Sequence, residues 1–147
     1  MLADLLRRLA APHSAAPLPH EDARLELAAL MVRISRSDGS YSDMERRRID
    51  AMLMTRYRLD AAGAARVRAE AEVAEAAAQD TVQFTRLIKD AVPYEERAGV
   101  VEALWRVAAS DGSIGADEHG LMRLVAGLLG VADQDSALAR QRALGQG

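Results

Sequence analysis

Apolar residues recur three and four positions apart along most of this chain, and nowhere do apolar and polar positions alternate for long. That periodicity predicts helices and no strand. Leu2, Leu5, Leu6 and Leu9 make one stripe of a short amphipathic helix. Such a helix either docks on the body or lies on a membrane surface, with Arg7 and Arg8 toward the headgroups. Pro12, Pro17 and Pro19 then mark residues 11–20 as a linker. A longer helix is predicted from about Glu21 to Ser37. Its inward face carries Leu27, Leu30, Met31 and Ile34, with Glu26, Arg33 and Arg36 in water. Gly39 stops it, and Ser42 opens the next with the capping-box pattern Ser42-x-x-Glu45. Ile49, Met52 and Leu53 turn that helix inward.

Asp60 reads as the N-cap of an alanine-rich helix running to about Ala78, and Asp80 as the cap of the next. In the latter, Phe84, Leu87, Ile88 and Ala91 share a face. Pro93 marks a boundary and suits the first turn of a helix that reaches about Ser110. Val100, Leu104, Trp105 and Val107 point inward there, and Glu102 and Arg106 form an i, i+4 pair. A helix from about Ala116 to Leu129 ends at Gly130. Asp133 caps a last one, with Leu138 as its main apolar residue. The expected fold class is all-α, a compact bundle of about seven or eight short helices built from two similar helical-hairpin halves.

The halves come from a repeated phrase. Ser37-Asp38-Gly39-Ser40 returns as Ser110-Asp111-Gly112-Ser113, at an offset of 73 residues. Leu27, Met31 and Ile34 align with Val100, Leu104 and Val107, and Glu45, Ile49 and Met52 with Glu118, Met122 and Val125. Each copy reads as an apolar helix, an Asp-Gly break and a second helix with an acidic first turn.

Composition narrows the function. The chain has no cysteine, which removes disulfides, thiolate zinc sites and cysteine nucleophiles. Its formal charge of −3 argues against a general nucleic-acid binder. Arg46-Arg47-Arg48 can touch phosphate, but Asp43 and Glu45 balance it, with Asp43 placed to pair with Arg47. No apolar run approaches a bilayer span, and Asp4, Arg7 and Arg8 interrupt any secretory signal, so the chain is expected to be soluble and intracellular. Ser37 and Ser110 have no convincing base among His13, His20 and His119, and no HExxH motif is present. Met31, Met52, Met54 and Met122 read as core filler and Trp105 as a core anchor.

The remaining chemistry lies at the corners. Asp38 with Glu45 and Asp111 with Glu118 offer carboxylates, which calcium and magnesium favour. The same residues also suit plain structural work, since Asp before Gly closes turns and acids favour a first helical turn. The spacing is not that of an EF-hand loop.

The run Ala29-Leu30-Met31-Val32-Arg33-Ile34-Ser35-Arg36-Ser37-Asp38-Gly39, followed by Glu45, resembles the first half-motif of the TerB-like (tellurite resistance protein B-like) family. Leu104-Trp105-Arg106-Val107-Ala108-Ala109-Ser110-Asp111-Gly112, followed by Glu118 and Leu128-Leu129-Gly130-Val131, resembles its second. The resemblance covers about residues 21–131. It divides the chain into an N-terminal helix and Pro-rich linker over 1–20 and a TerB-like domain over 21–147. It implies a non-enzymatic, cytoplasmic protein that works with protein partners near the inner membrane in stress or tellurite response; the charge reading adds that no nucleic acid is a partner, and no small-molecule substrate is identified. It also implies a divalent cation, calcium or magnesium, at Asp38, Glu45, Asp111 and Glu118. Where many relatives carry a Glu after Asp-Gly, this chain has Ser40 and Ser113, which weakens any such site. The alternative is a structural or co-chaperone-type protein-binding module with no metal.

Overall fold

The second helix from the N-terminus in the sequence reading is the one around which everything else is built. In the computed structural model, which describes residues 2, 20–78, 80–109 and 113–145, this helix is α1, His20–Arg36. It is followed by α2 (Asp43–Tyr57), α3 (Ala61–Ala77) and α4 (Val82–Ala91). A 3-10 turn at Tyr94–Glu96 leads into α5 (Arg97–Ala108), then α6 (Ala116–Leu128) and α7 (Asp133–Gly145). Among the described residues there are seven α-helices and no strand. The proposed helix and linker of residues 1–20 lie outside the described residues, apart from Leu2, half-buried against the core, and His20, which opens α1.

Helix α1 is buried all round, and α2 to α6 all pack on it. This position corrects the placement of Glu26 in water: it is fully buried, because a central helix has no wet face. The neighbouring Tyr57 hydroxyl is pushed above its ordinary pKa chiefly by burial. Arg36 runs outward to Glu75 and stays partly exposed, whereas Arg33, also expected in water, is drawn in against Glu75 with its side chain only 15% exposed.

Local signals place most helix ends. Ser42 Oγ accepts from Glu45 N at 3.2 Å, and Glu45 Oε1 accepts from Ser42 N at 2.8 Å, closing the capping box. Asp60 Oδ1 accepts from Gly63 N at 2.7 Å. Asp80 Oδ1 accepts from Val82 N at 3.0 Å. Gly130 ends α6 with φ +77°, a conformation costly for other residues. Pro93 opens the 3-10 turn rather than α5 itself. Glu102 pairs with Arg106 at 3.0 Å, as its spacing predicts. Asp43, by contrast, pairs with Arg46 at i, i+3 (3.0 Å) and not with Arg47.

The duplication extends to a third helix in each half. Helix α3 packs broadly along α1, as α7 does along α5. Before α3 come Arg58 in the left-handed region (φ 54°), Leu59 and Asp60; before α7 come Gly130, Val131 and Ala132. Asp60 O accepts from Ala64 N at 3.0 Å, and Ala132 O from Ser136 N at 2.9 Å. The offset here is 72 residues, one fewer than in the hairpins, so Asp133 falls in the first turn of α7 and is not its cap. In this register Ala64 and Val67 correspond to Ser136 and Ala139, and all four are buried. Small residues let these third helices approach closely. Leu138, expected as the main apolar residue of α7, is 46% exposed, and the buried positions of that helix go to Ser136 and Ala139. Met54 is likewise on the surface at 36%, while Met31 and Met122 are fully buried. Helix α4 joins the halves and packs on both α1 and α6.

Two glutamates anchor the outer surface and set its acid sensitivity. The hydrogen bond from Arg142 Nε at 2.6 Å does most to hold Glu102 below its ordinary pKa of 4.5, and Arg106 assists. Burial alone would raise Glu72, but Tyr41 and Arg68 donate to it and hold it low. A depressed folded-state pKa gives stability that is complete above the ordinary value and is lost as pH falls through the depressed one. Thermal unfolding from about pH 6 to pH 3 should therefore show a smaller loss of Tm for Glu102→Gln than for the wild type. Parallel curves would remove Glu102 as a contributor.

Candidate acidic cation site

The first corner is built by the end of α1. Gly39 N donates to Arg36 O at 3.0 Å and Ser37 N to Ile34 O at 3.2 Å, so the chain leaves the helix in a tight turn. Gly39 has φ +87°, where an L side chain is strained. Asp38 Oδ1 accepts from both Ser40 N and Ser40 Oγ at 3.0 Å. Ser40 thus orients Asp38. Ser37 Oγ donates to Ile34 O at 2.7 Å and is engaged with its own helix.

The second corner is described from Ser113 onward; Ser110, Asp111 and Gly112 lie outside the described residues. Gly115 occupies the place that Ser42 holds in the first half. It has no hydroxyl, so only half of a capping box forms: Gly115 N donates to Glu118 Oε1 at 2.7 Å. A Cβ at Gly115 would meet Glu118 Oε1 at 3.3 Å, so glycine suits this close approach.

The two corners meet. One carboxylate oxygen each of Asp38, Glu45 and Glu118 lies within 4.8 Å of the others. Glu45 is 7% exposed and Glu118 5%, while Asp38 is open to solvent. Both glutamates are oriented through Oε1 by helix-cap bonds from the first turns of α2 and α6. Three of the four expected carboxylates therefore converge, and the fourth, Asp111, lies outside the described residues.

Like charges this close repel, more strongly where water is excluded. A hard divalent cation favours this donor set: oxygen ligands only, two buried and positioned by backbone bonds. The spacing of Asp and Glu within each corner was legible from the repeat. The meeting of Glu45 with Glu118 was expected only through the family resemblance, because it depends on how α2 and α6 pack around α1.

Beside the corner, Tyr41 lies under two guanidinium groups, Arg46 at 4.4 Å and Arg36 at 5.0 Å from the ring centre. Its hydroxyl donates to Glu72 at 2.6 Å, and burial pushes its pKa well above the ordinary range. Arg46 also reaches Glu72 at 3.4 Å, so the first arginine of the basic run serves the α2–α3 junction.

A two-half, all-helical domain with a carboxylate cluster where its corners meet is the class that this fold and site define. The family model described as tellurite resistance protein TerB matches residues 24–141. The chain belongs to that family. No curated protein and no solved structure matches it. Among the described residues, no helix is long and apolar enough to cross a membrane.

Proposed function

We propose that this TerB-family chain is a non-enzymatic interaction module whose acidic corners hold a divalent cation, calcium or magnesium. The convergence of Asp38, Glu45 and Glu118 carries the reading. The cation would supply charge neutralisation, and Glu45, Glu118 and Asp38 would hold it. With their repulsion removed, the α1–α2 and α5–α6 corners are fixed against each other, and the surface around them becomes a defined face for a protein partner. The family's description supports a setting in tellurite resistance. A cytoplasmic protein acting with partners at the inner membrane fits that setting.

One observation favours a metal-free module instead. Glu45 and Glu118 each already accept a helix-cap hydrogen bond, so their presence has a structural cause. Thermal unfolding with millimolar calcium or magnesium separates the two readings. A ligand at a hundredfold excess over its Kd stabilises by about 2.7 kcal/mol, so Tm should rise by several degrees. Glu118→Gln keeps the capping oxygen and removes the charge, so it should abolish the ion-dependent increment while leaving the fold intact. An unchanged Tm at millimolar ion would refute the cation and leave the metal-free module.

A further inference from the structure

The two halves differ where their second and third helices meet. In the first half, ion pairs close the groove between α2 and α3. Arg68 Nε donates to Asp50 Oδ1 at 2.6 Å and Arg68 Nη1 to Glu72 Oε2 at 3.0 Å, while Arg46 Nε lies 3.4 Å from Glu72 Oε2. Two cations face two carboxylates. In the register established above, Arg46 corresponds to His119, Asp50 to Arg123, Arg68 to Arg140 and Glu72 to Leu144. Both basic positions stay basic in the second half. Both carboxylates are gone, and one has become a third basic group.

The consequence is an open cleft of about 220 Å³ between α5, α6 and α7. Trp105 forms its floor, donating from Nε1 to Ser136 Oγ at 3.1 Å. His119 stands edge-on to the indole at 5.5 Å, and the Arg140 guanidinium lies 5.7 Å from the ring centre. Arg123 lines the wall. Asp133 also lines the cleft, yet among the described residues it makes no ion pair with either arginine. Among the described residues, the buried Nε of Arg140 has no hydrogen-bond acceptor. A buried guanidinium N–H without an acceptor is costly, and since neither Arg123 nor Arg140 has a carboxylate partner among the described residues, an anion in the cleft is what would neutralise them.

We propose that this cleft binds a small free oxyanion of the phosphate type. Arg123 and Arg140 supply forked N–H donors that match tetrahedral oxygens. Ser136 accepts from Trp105 and keeps its own O–H to donate. The site lies on the second half alone and does not depend on a cation at the acidic corners.

Trp105 is the chain's single tryptophan, so its fluorescence reports on the cleft directly. The full-length protein is titrated with sodium phosphate, and with sodium chloride at matched ionic strength. A saturating change with phosphate and none with chloride is expected. Arg123→Asp sets a carboxylate opposite Arg140, as Asp50 stands opposite Arg68, and should weaken phosphate at least tenfold, about one decade in Kd. Arg123→Ala, at an exposed position, provides a variant with little burden on folding and should weaken binding in the same direction. A phosphate response no different from chloride overturns the assignment. So does phosphate binding that both variants leave intact.

Discussion

Phe84→Ala should lower the free energy of unfolding by about 3–5 kcal/mol. Phe84 is fully buried in α4, the helix that joins the two halves, and it is the chain's only phenylalanine. Removing the ring loses its transfer free energy and leaves a cavity. The surrounding surface is poor at closing that cavity, because α1 is held by helices on every side. At this chain length each kcal/mol moves Tm by roughly 2–4 °C, so a fall of roughly 10 °C is expected. Urea unfolding measures the same loss independently. A loss below about 1 kcal/mol would mean that α4 repacks freely and does not tie the halves together.

Local signals made the helix ends readable. Ser42, Asp60 and Gly130 act within a few residues of themselves, so their roles survive any arrangement of helices. Glu26 and Leu138 show the opposite case. Whether Glu26 is wet depends on α1 being central, which no periodicity within α1 reports. Leu138 lost its inward position to Ser136 and Ala139 because close helix approach selects size over hydrophobicity. The duplication itself was visible over the two hairpins and faded at the third helix. One residue is missing there, and the two Asp residues that appear to match, Asp60 and Asp133, do different work.

That one-residue shift bears on the sites. The acidic corners lie within the stretch that repeats in register, so Asp38, Glu45 and Glu118 were candidates from the letters alone. The cleft around Trp105 crosses the shift. At a constant offset, Arg68 falls opposite Gln141 and its match with Arg140 is hidden. His119, which carries no motif, and Trp105, which packs like any core anchor, gain meaning only when α6 and α7 are seen together. Duplication has left two corresponding junctions: one is neutralised internally by Asp50 and Glu72, and the other lacks both acids.

Arg33→Ala should cost about 2–4 kcal/mol, far more than an ordinary surface arginine. Its side chain is only 15% exposed and works as a clamp between α1 and the end of α3. Nε donates to Glu75 Oε2 at 3.0 Å, and Nη2 donates to the backbone oxygens of Glu75 at 3.1 Å and Ala78 at 2.9 Å. Nη1 reaches Thr81 Oγ1 at 3.3 Å. A helix end needs such partners for its last carbonyls, and α3 has no left-handed cap to provide them. Arg33→Lys keeps the charge but not the fork, so it should recover less than half of the loss. The guanidinium also lies 5.4 Å from the centre of the Phe84 ring. The double variant with Phe84→Ala should therefore lose less than the sum of the two single losses, by about 0.5–1 kcal/mol. Strict additivity in that cycle would mean that clamp and ring act separately, and that α3 and α4 are held to α1 by independent contacts.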